Sequence, residues 1–183
     1  MMCHEDPSLE TTLPSGEVLK LAVDRQTFLH STHGKRLSCL DCHPAMEEVP
    51  HPELKAQSLR EFRIATYEAC KTCHFEHYTR TLDSAHMKGL ARGDRNAPTC
   101  VDCHGSHDIG PPNEPRARVS QTCGTCHAGV TGAYMSSVHG AGLAHNNPDV
   151  PVCTDCHQSH AIQGTSTEGW RSQTPDMCGG CHS

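Results

Sequence analysis

The chain has little with which to build an ordinary core. Its 183 residues include three Phe, three Tyr and one Trp, and hydrophobic residues make up 35%, a figure that counts 13 cysteines. Ordering a residue costs roughly 1–2 kcal/mol of entropy, offset chiefly by buried apolar area, so side-chain packing alone does not hold such a chain together. No apolar run is long enough to cross a membrane. No basic start followed by an apolar stretch marks a signal peptide. A basic excess is missing too: 15 Lys and Arg face 21 Asp and Glu, a formal charge of −6, which leaves no footprint for nucleic acid. Disordered chains are poor in Cys and strongly charged, whereas this one carries 13 Cys and 16 His. A covalent or coordinate framework is the remaining way to order it.

The cysteines supply that framework. Twelve of them fall into six identical frames, "CLDCH", "CKTCH", "CVDCH", "CGTCH", "CTDCH" and "CGGCH". The pairs are Cys39/Cys42, Cys70/Cys73, Cys100/Cys103, Cys123/Cys126, Cys153/Cys156 and Cys178/Cys181, each followed by a histidine: His43, His74, His104, His127, His157 and His182. Two thiols on one tight turn reach the two vinyl groups of a haem, and the adjacent His stands beneath the iron. A zinc knuckle or redox pair also uses Cys-x-x-Cys, but neither requires His after every second Cys. A disulfide scaffold has no reason to pair cysteines three apart. Haem c at six sites is therefore expected. Cys3-His4 reads as the rear half of a seventh frame, against the alternative of a stray thiol near a terminus. Its first cysteine would precede Met1, so the chain is expected to be the rear part of a longer, exported protein.

A repeat underlies the frames. Ser-x-His recurs at Ser31/His33, Ser84/His86 and Ser137/His139, in steps of 53, and each occurrence is followed by two Cys-x-x-Cys-His frames. Repeat one differs by a loop moved from before its first frame to after it. One domain over 1–183 is expected, with di-haem repeats at roughly 28–80, 81–133 and 134–183 and a remnant of an upstream repeat at 1–27. "EVLKLAVD", after a "PSG" turn, reads as a short strand. The stretch from "SLREF" to "MKGLA" has helical composition, "QTCGTCHAGVTGAYMSSVHGAGLA" reads as a weaker helix pair, and "RGDRNAPTC", "GPPNEPRA" and "HNNPDVPVC" read as loops. The expected fold class is mostly α and irregular coil: short helices and long loops wrapped around a chain of covalent haems, with at most one short strand or hairpin.

Seven histidines are proximal ligands if His4 is counted. Distal candidates come from three sources: His33, His86 and His139 from Ser-x-His; His77, His107 and His160 from Cys-His-x-x-His; and His51 from the lengthened loop. A His three positions beyond a proximal His lies on the same side of that haem, so it points to a neighbouring iron. In repeat one that position holds Met46, a possible thioether ligand, and His51 is the preferred substitute. His30 and His145 are left over.

These frames, with Ser-x-His-Gly and with "CVDCHGSH" and "CTDCHQSH", resemble multihaem c-type cytochromes of the cytochrome c3-like, doubled Cys-x-x-Cys-His kind, over nearly the whole chain. The resemblance implies bis-histidine, low-potential haems, attachment outside the cytoplasm in the periplasm or beyond, and redox partner proteins, other cytochromes among them. Some relatives form extracellular filaments in which a His of one subunit ligates the haem of the next, so a homopolymer or larger complex is a further possibility. The leading expectation is an electron carrier with no catalytic residues. The alternative is a multihaem reductase with one open iron, acting on nitrite, hydroxylamine or a sulfur compound; a Lys-ligated Cys-x-x-Cys-Lys site is absent from the sequence.

Overall fold

The computed structural model describes residues 4–182, so Cys3 lies outside the described residues. In chain order the elements begin with strands β1 (Glu10–Thr12) and β2 (Val18–Lys20), followed by helices α1 (Arg25–His30), α2 (Cys39–Cys42) and α3 (Leu59–Thr66). Next come α4 (Phe75–Leu82), α5 (Ala85–Ala91), α6 (Cys100–His104) and α7 (Ala117–Gly124). The last four are α8 (Ala128–Met135), α9 (Val138–Ala144), α10 (Cys153–His157) and α11 (Glu168–Gly179). Short 3-10 turns cover Pro44–Met46 and Tyr67–Thr72. Short helices, one hairpin and extensive coil are the expected fold class. The chain forms two compact units, Met1–Phe75 with Pro98–Pro111, and Glu76–Ala97 with Pro112–Ser183.

In the first unit, β1 and β2 pair antiparallel with Thr11 opposite Leu19. Their turn needs Gly16 at φ 84°, a left-handed conformation that glycine adopts without a Cβ clash. Leu13 and Leu19 are buried under it. The strand is shorter than "EVLKLAVD", and its partner "ETT" carries too little alternation to announce itself. Past β2 the chain stays against the N-terminal segment, with the Val23 N–H donating to the His4 carbonyl at 2.8 Å. Asp24 then caps α1 by accepting from the Gln26 and Thr27 amides. Ser58 caps α3, which tightens into the 3-10 turn where Tyr67 is buried.

In the second unit, the buried apolar residues are Ala97, Leu143 and Val152. The Tyr134 hydroxyl donates to the Pro151 carbonyl at 2.8 Å. The helix pair expected in this region is three helices, because Ser137 starts a new one: its Oγ accepts from the Gly140 N–H. Gly140 must be glycine here, since a Cβ would stand 2.2 Å from the Tyr134 carbonyl oxygen. Gly34 in the first unit meets the same limit against the Phe28 carbonyl oxygen, at 1.8 Å. Helix α11, capped by Thr167 and containing Pro175, has no counterpart among the expected elements.

Among the described residues no large side chain is fully buried, while Phe75, Val130 and Val138 are 68%, 70% and 82% exposed. Phe75 directly follows His74, Val130 lies three residues beyond His127, and Val138 sits inside a Ser-x-His motif. Two of these exposed apolar side chains lie close in sequence to a frame histidine and the third beside the Ser-x-His imidazole His139.

Candidate haem sites

Each frame closes one helical turn. At His43, His74, His127 and His182 the histidine N–H donates to the carbonyl of the first Cys of its frame at 2.9 Å, and His104 and His157 end helices that begin at Cys100 and Cys153. This bond sets both sulfurs and the imidazole on one turn, the arrangement two thioethers and an axial ligand require. The second sulfurs of five frames, Cys42, Cys73, Cys103, Cys126 and Cys181, belong to exposed residues.

Two kinds of frame emerge. Those at Cys39, Cys100 and Cys153 start a helix, and the Asp inside the frame caps it. Asp41, Asp102 and Asp155 accept from the N–H of the residue before the first Cys, at 2.7, 2.7 and 2.6 Å. The frames at Cys70, Cys123 and Cys178 end a helix or 3-10 turn, and Thr or Gly stands in place of the Asp. Asp102 also accepts from Arg60 at 2.7 Å and Arg63 at 3.4 Å, and Asp155 from Arg116 at 2.5 Å. Burial pushes the Asp102 carboxyl upward, but the Thr99 and Arg60 hydrogen bonds outweigh it and hold the group below the usual carboxylate range. Asp41 is lowered by the Ser38 amide and hydroxyl. These caps were not picked out as a signal in the sequence, although Asp recurs at one position of three frames.

The Ser-x-His histidines gain their position in a related way. Ser31, Ser84 and Ser137 accept from the N–H three residues on, at 3.0, 3.1 and 3.3 Å. The intervening His therefore sits on a fixed first turn. In the first unit the Thr32 N–H donates to the Ile109 carbonyl at 2.7 Å; in the second, Ala85 to Ile162 at 2.8 Å, each residue 53 further on. The same clip joins a Ser-x-His turn to the loop after a Cys-His-x-x-His motif in both units.

The imidazoles then fall into pairs. In the first unit, ring centroids of His33 and His74 are 5.9 Å apart, His43 and His107 6.1 Å, and His4 and His51 6.0 Å. In the second, His86 and His127 are 6.1 Å apart, and His139 and His182 5.9 Å. Each pair joins a frame histidine to one of the distal candidates. Two imidazoles on opposite sides of one metal, each nitrogen about 2 Å from it, place their centroids about 6 Å apart. The residues therefore fit a haem iron between them.

The His4 pair is also oriented from behind. His4 Nδ1 lies 2.7 Å from the Leu21 carbonyl oxygen and His51 Nδ1 2.8 Å from that of Glu48. An Nδ1–H held by a carbonyl leaves Nε2 for a metal. Burial, and then a neighbouring imidazole, lowers the pKa of His43, His86, His107 and His157, which favours the neutral form that ligates.

The other histidines behave differently. His77 and His160 lie 4.7 Å apart, too close to share one iron as axial partners. His157 stacks on Trp170 at 4.3 Å and 3°. His30 turns its Nδ1 to the Gln26 carbonyl, His145 ends α9, and Met46 lies in the 3-10 turn after α2.

Frames also meet each other. Cys70 and Cys100 are hydrogen-bonded in the first unit, which lowers Cys70 to about 7 and raises Cys100. Cys123 and Cys153, each 53 residues on, are hydrogen-bonded in the second, lowering Cys153 to about 6. Cys42 is close enough to Cys70 and Cys73, and Cys156 to Cys178 and Cys181, for their charges to raise it, after the larger effect of burial. Within a unit, successive frames are neighbours.

Residues 94–183, about half of the chain, match the family model described as Cytochrome c3. No curated protein and no solved structure matches. The matched stretch carries four complete frames, and the remaining frames repeat its turns, caps and imidazole pairs; the chain is a c3-like multihaem c-type cytochrome, an electron-transfer protein.

Proposed function

We propose that this cytochrome carries six haems c on its complete frames and a seventh at Cys3-His4, with bis-histidine ligation at five of them. In this reading electrons pass between neighbouring haems within each unit. The observation that carries the reading is the set of five imidazole pairs at 5.9–6.1 Å, each uniting a frame histidine with a histidine distant in sequence.

Bound haem supplies the one-electron couple. The chain supplies everything else. The frame turn fixes two sulfurs and one imidazole. The Ser-capped turns hold His33, His86 and His139 opposite His74, His127 and His182. Paired neutral imidazoles favour low potentials, since a Met in either place raises them. The contacts Cys70–Cys100 and Cys123–Cys153 set attachment points side by side, so haems held by these frames would be neighbours. His77 and His160 remain distal candidates. The protein in this reading is a carrier rather than an enzyme, exported to the periplasm or the cell exterior. It meets redox partners whose basic patches complement its net acidity.

The pair His4–His51 supports the seventh site, because both rings are tied through Nδ1 and their centroids stand 6.0 Å apart. The mass of the intact, exported, haem-loaded protein tests this, read with near-infrared magnetic circular dichroism. Seven haems are expected, with at least five irons showing a bis-imidazole signature. Six haems and a free Cys3 thiol would remove the seventh site, and a dominant His–Met signature would remove the ligation scheme.

A further inference from the structure

His157 is held unlike the paired histidines. Its ring lies flat against that of Trp170, with centroids 4.3 Å apart and planes 3° from parallel. That is van der Waals contact, with no space for a metal between the rings. The indole covers one face of the imidazole, whereas a ring nitrogen binds metal in the plane of the ring. Among the described residues Trp170 is the ring that His157 meets.

The local chain explains the stack. Trp170 lies in the first turn of α11, where its N–H donates to the capping Thr167 Oγ1 at 3.3 Å. The far end of α11 carries the Cys178 frame, whose thiols act on Cys156. Both ends of α11 are thus tied near the frame that holds His157. The neighbouring imidazoles have other engagements. His160 follows His157 by three residues and lies on the same side of that haem, His77 meets His160, and His127 pairs with His86.

We propose that the haem attached at Cys153 and Cys156 receives one imidazole from this chain, His157, and binds a small exogenous ligand at its other axial position, with Trp170 as the positioning residue that holds the proximal imidazole plane. The ligand class is a small neutral donor that binds ferrous haem, of which carbon monoxide is the probe. The inference rests on the haem reading above. It goes beyond that reading by assigning the second axial position of one iron outside the five imidazole pairs as a binding site.

The test uses the complete haem-loaded protein, with its haem count measured first. Carbon monoxide is titrated into the dithionite-reduced protein and followed in the Soret band, alongside electron paramagnetic resonance of the oxidised form. Carbon monoxide uptake at one iron that responds to Trp170 is expected, with that ferric iron distinct from the low-spin signals of the five paired sites. Trp170→Phe keeps the stack and should keep the stoichiometry. Trp170→Ala should change the carbon monoxide dissociation rate severalfold and alter the one distinct ferric signal, leaving the low-spin signals in place. A full haem count with no uptake and only low-spin iron overturns the proposal while leaving the haem reading intact. Uptake that vanishes as protein concentration rises overturns it in favour of an imidazole from a second copy. Identical rates in wild type and Trp170→Ala overturn the role of Trp170. A haem count below six sinks the haem reading itself.

Discussion

The frames at Cys39, Cys100 and Cys153 open a helix, whereas those at Cys70, Cys123 and Cys178 close a helix or 3-10 turn. Both kinds put two thiols and an imidazole on one turn, but the turn is held from opposite sides. An opening frame has orphan N–H groups at its start, and its own Asp takes one of them. A closing frame inherits its geometry from the preceding turns, and its imidazole stands just before the next helix at His74 and His127. The first kind is self-contained, and the second is set by its neighbours. The pairing of histidines divides along the same line. All three closing-frame histidines face a Ser-x-His imidazole, while among opening frames His43 faces a Cys-His-x-x-His imidazole and His157 faces an indole.

Removing the caps probes the opening frames most directly, and the largest effect is expected at Asp102. Asp102→Ala loses a helix cap, about 1 kcal/mol. It also leaves the half-buried Arg60 guanidinium without its 2.7 Å partner, roughly a further 1–3 kcal/mol. Asp155→Ala loses a cap and a more exposed ion pair, about 1–2 kcal/mol together. Asp41→Ala, with no arginine partner, should lose least. Guanidinium unfolding of the haem-loaded variants gives the order. Equal losses at all three would mean that the arginines contribute nothing and the cap is the whole difference.

Two of these carboxylates, Asp102 and Asp41, set an acid sensitivity. Asp102 and Asp41 have folded pKa values below the ordinary carboxylate value of about 3.9. Their stabilisation is therefore fully present above that pH and is lost as pH falls through the folded values. Asp102→Asn should flatten the fall in unfolding midpoint below about pH 4 while lowering the plateau near neutrality. An unchanged acid slope would show that other groups carry it.

Much of this was legible in the chain, for reasons that differ by residue. The Cys-x-x-Cys-His frames from Cys39 to His182 are a matter of spacing along the chain and need no tertiary context to be seen. The 53-residue period exposed Ser31, Ser84 and Ser137, but their job as caps appeared only with the Gly34, Met87 and Gly140 amides in place. Which imidazole faces which could not be read, because His43 meets His107 across 64 positions through folding of the coil between them. Trp170 carried no pattern, since one aromatic without a period is silent until its neighbour is known. The hairpin partner "ETT" and the Pro175-containing α11 were hidden for the same reason: tertiary placement overrides weak local propensity.

A smaller effect separates the closing frames from their supports. Ser84→Ala and Ser137→Ala should each lose about 1 kcal/mol as N-caps. Both substitutions also loosen the histidine two residues on, so line broadening in the low-spin electron paramagnetic resonance signals of the His127 and His182 haems should accompany the stability loss. A stability loss with unchanged spectra would show that the cap holds the helix and not the imidazole.

The smallest expected effect is the sharpest test of why only opening frames use Asp. Thr125 occupies in "CGTCH" the place that Asp102 occupies in "CVDCH". Thr125→Asp would offer a carboxylate to the N–H of Thr122, but that residue lies inside α7, where its N–H belongs to the helix ladder. The new charge would also sit at the C-terminal end of that helix, where the dipole opposes an anion by about 0.3–1 kcal/mol. It would remove the present Thr125 hydroxyl bond to the Thr122 carbonyl at 2.8 Å as well. A slight destabilisation with normal haem attachment is expected. A stabilisation of similar size would show that the caps act through charge near the frame rather than through the orphan amide, and the distinction between opening and closing frames would then lose its physical basis.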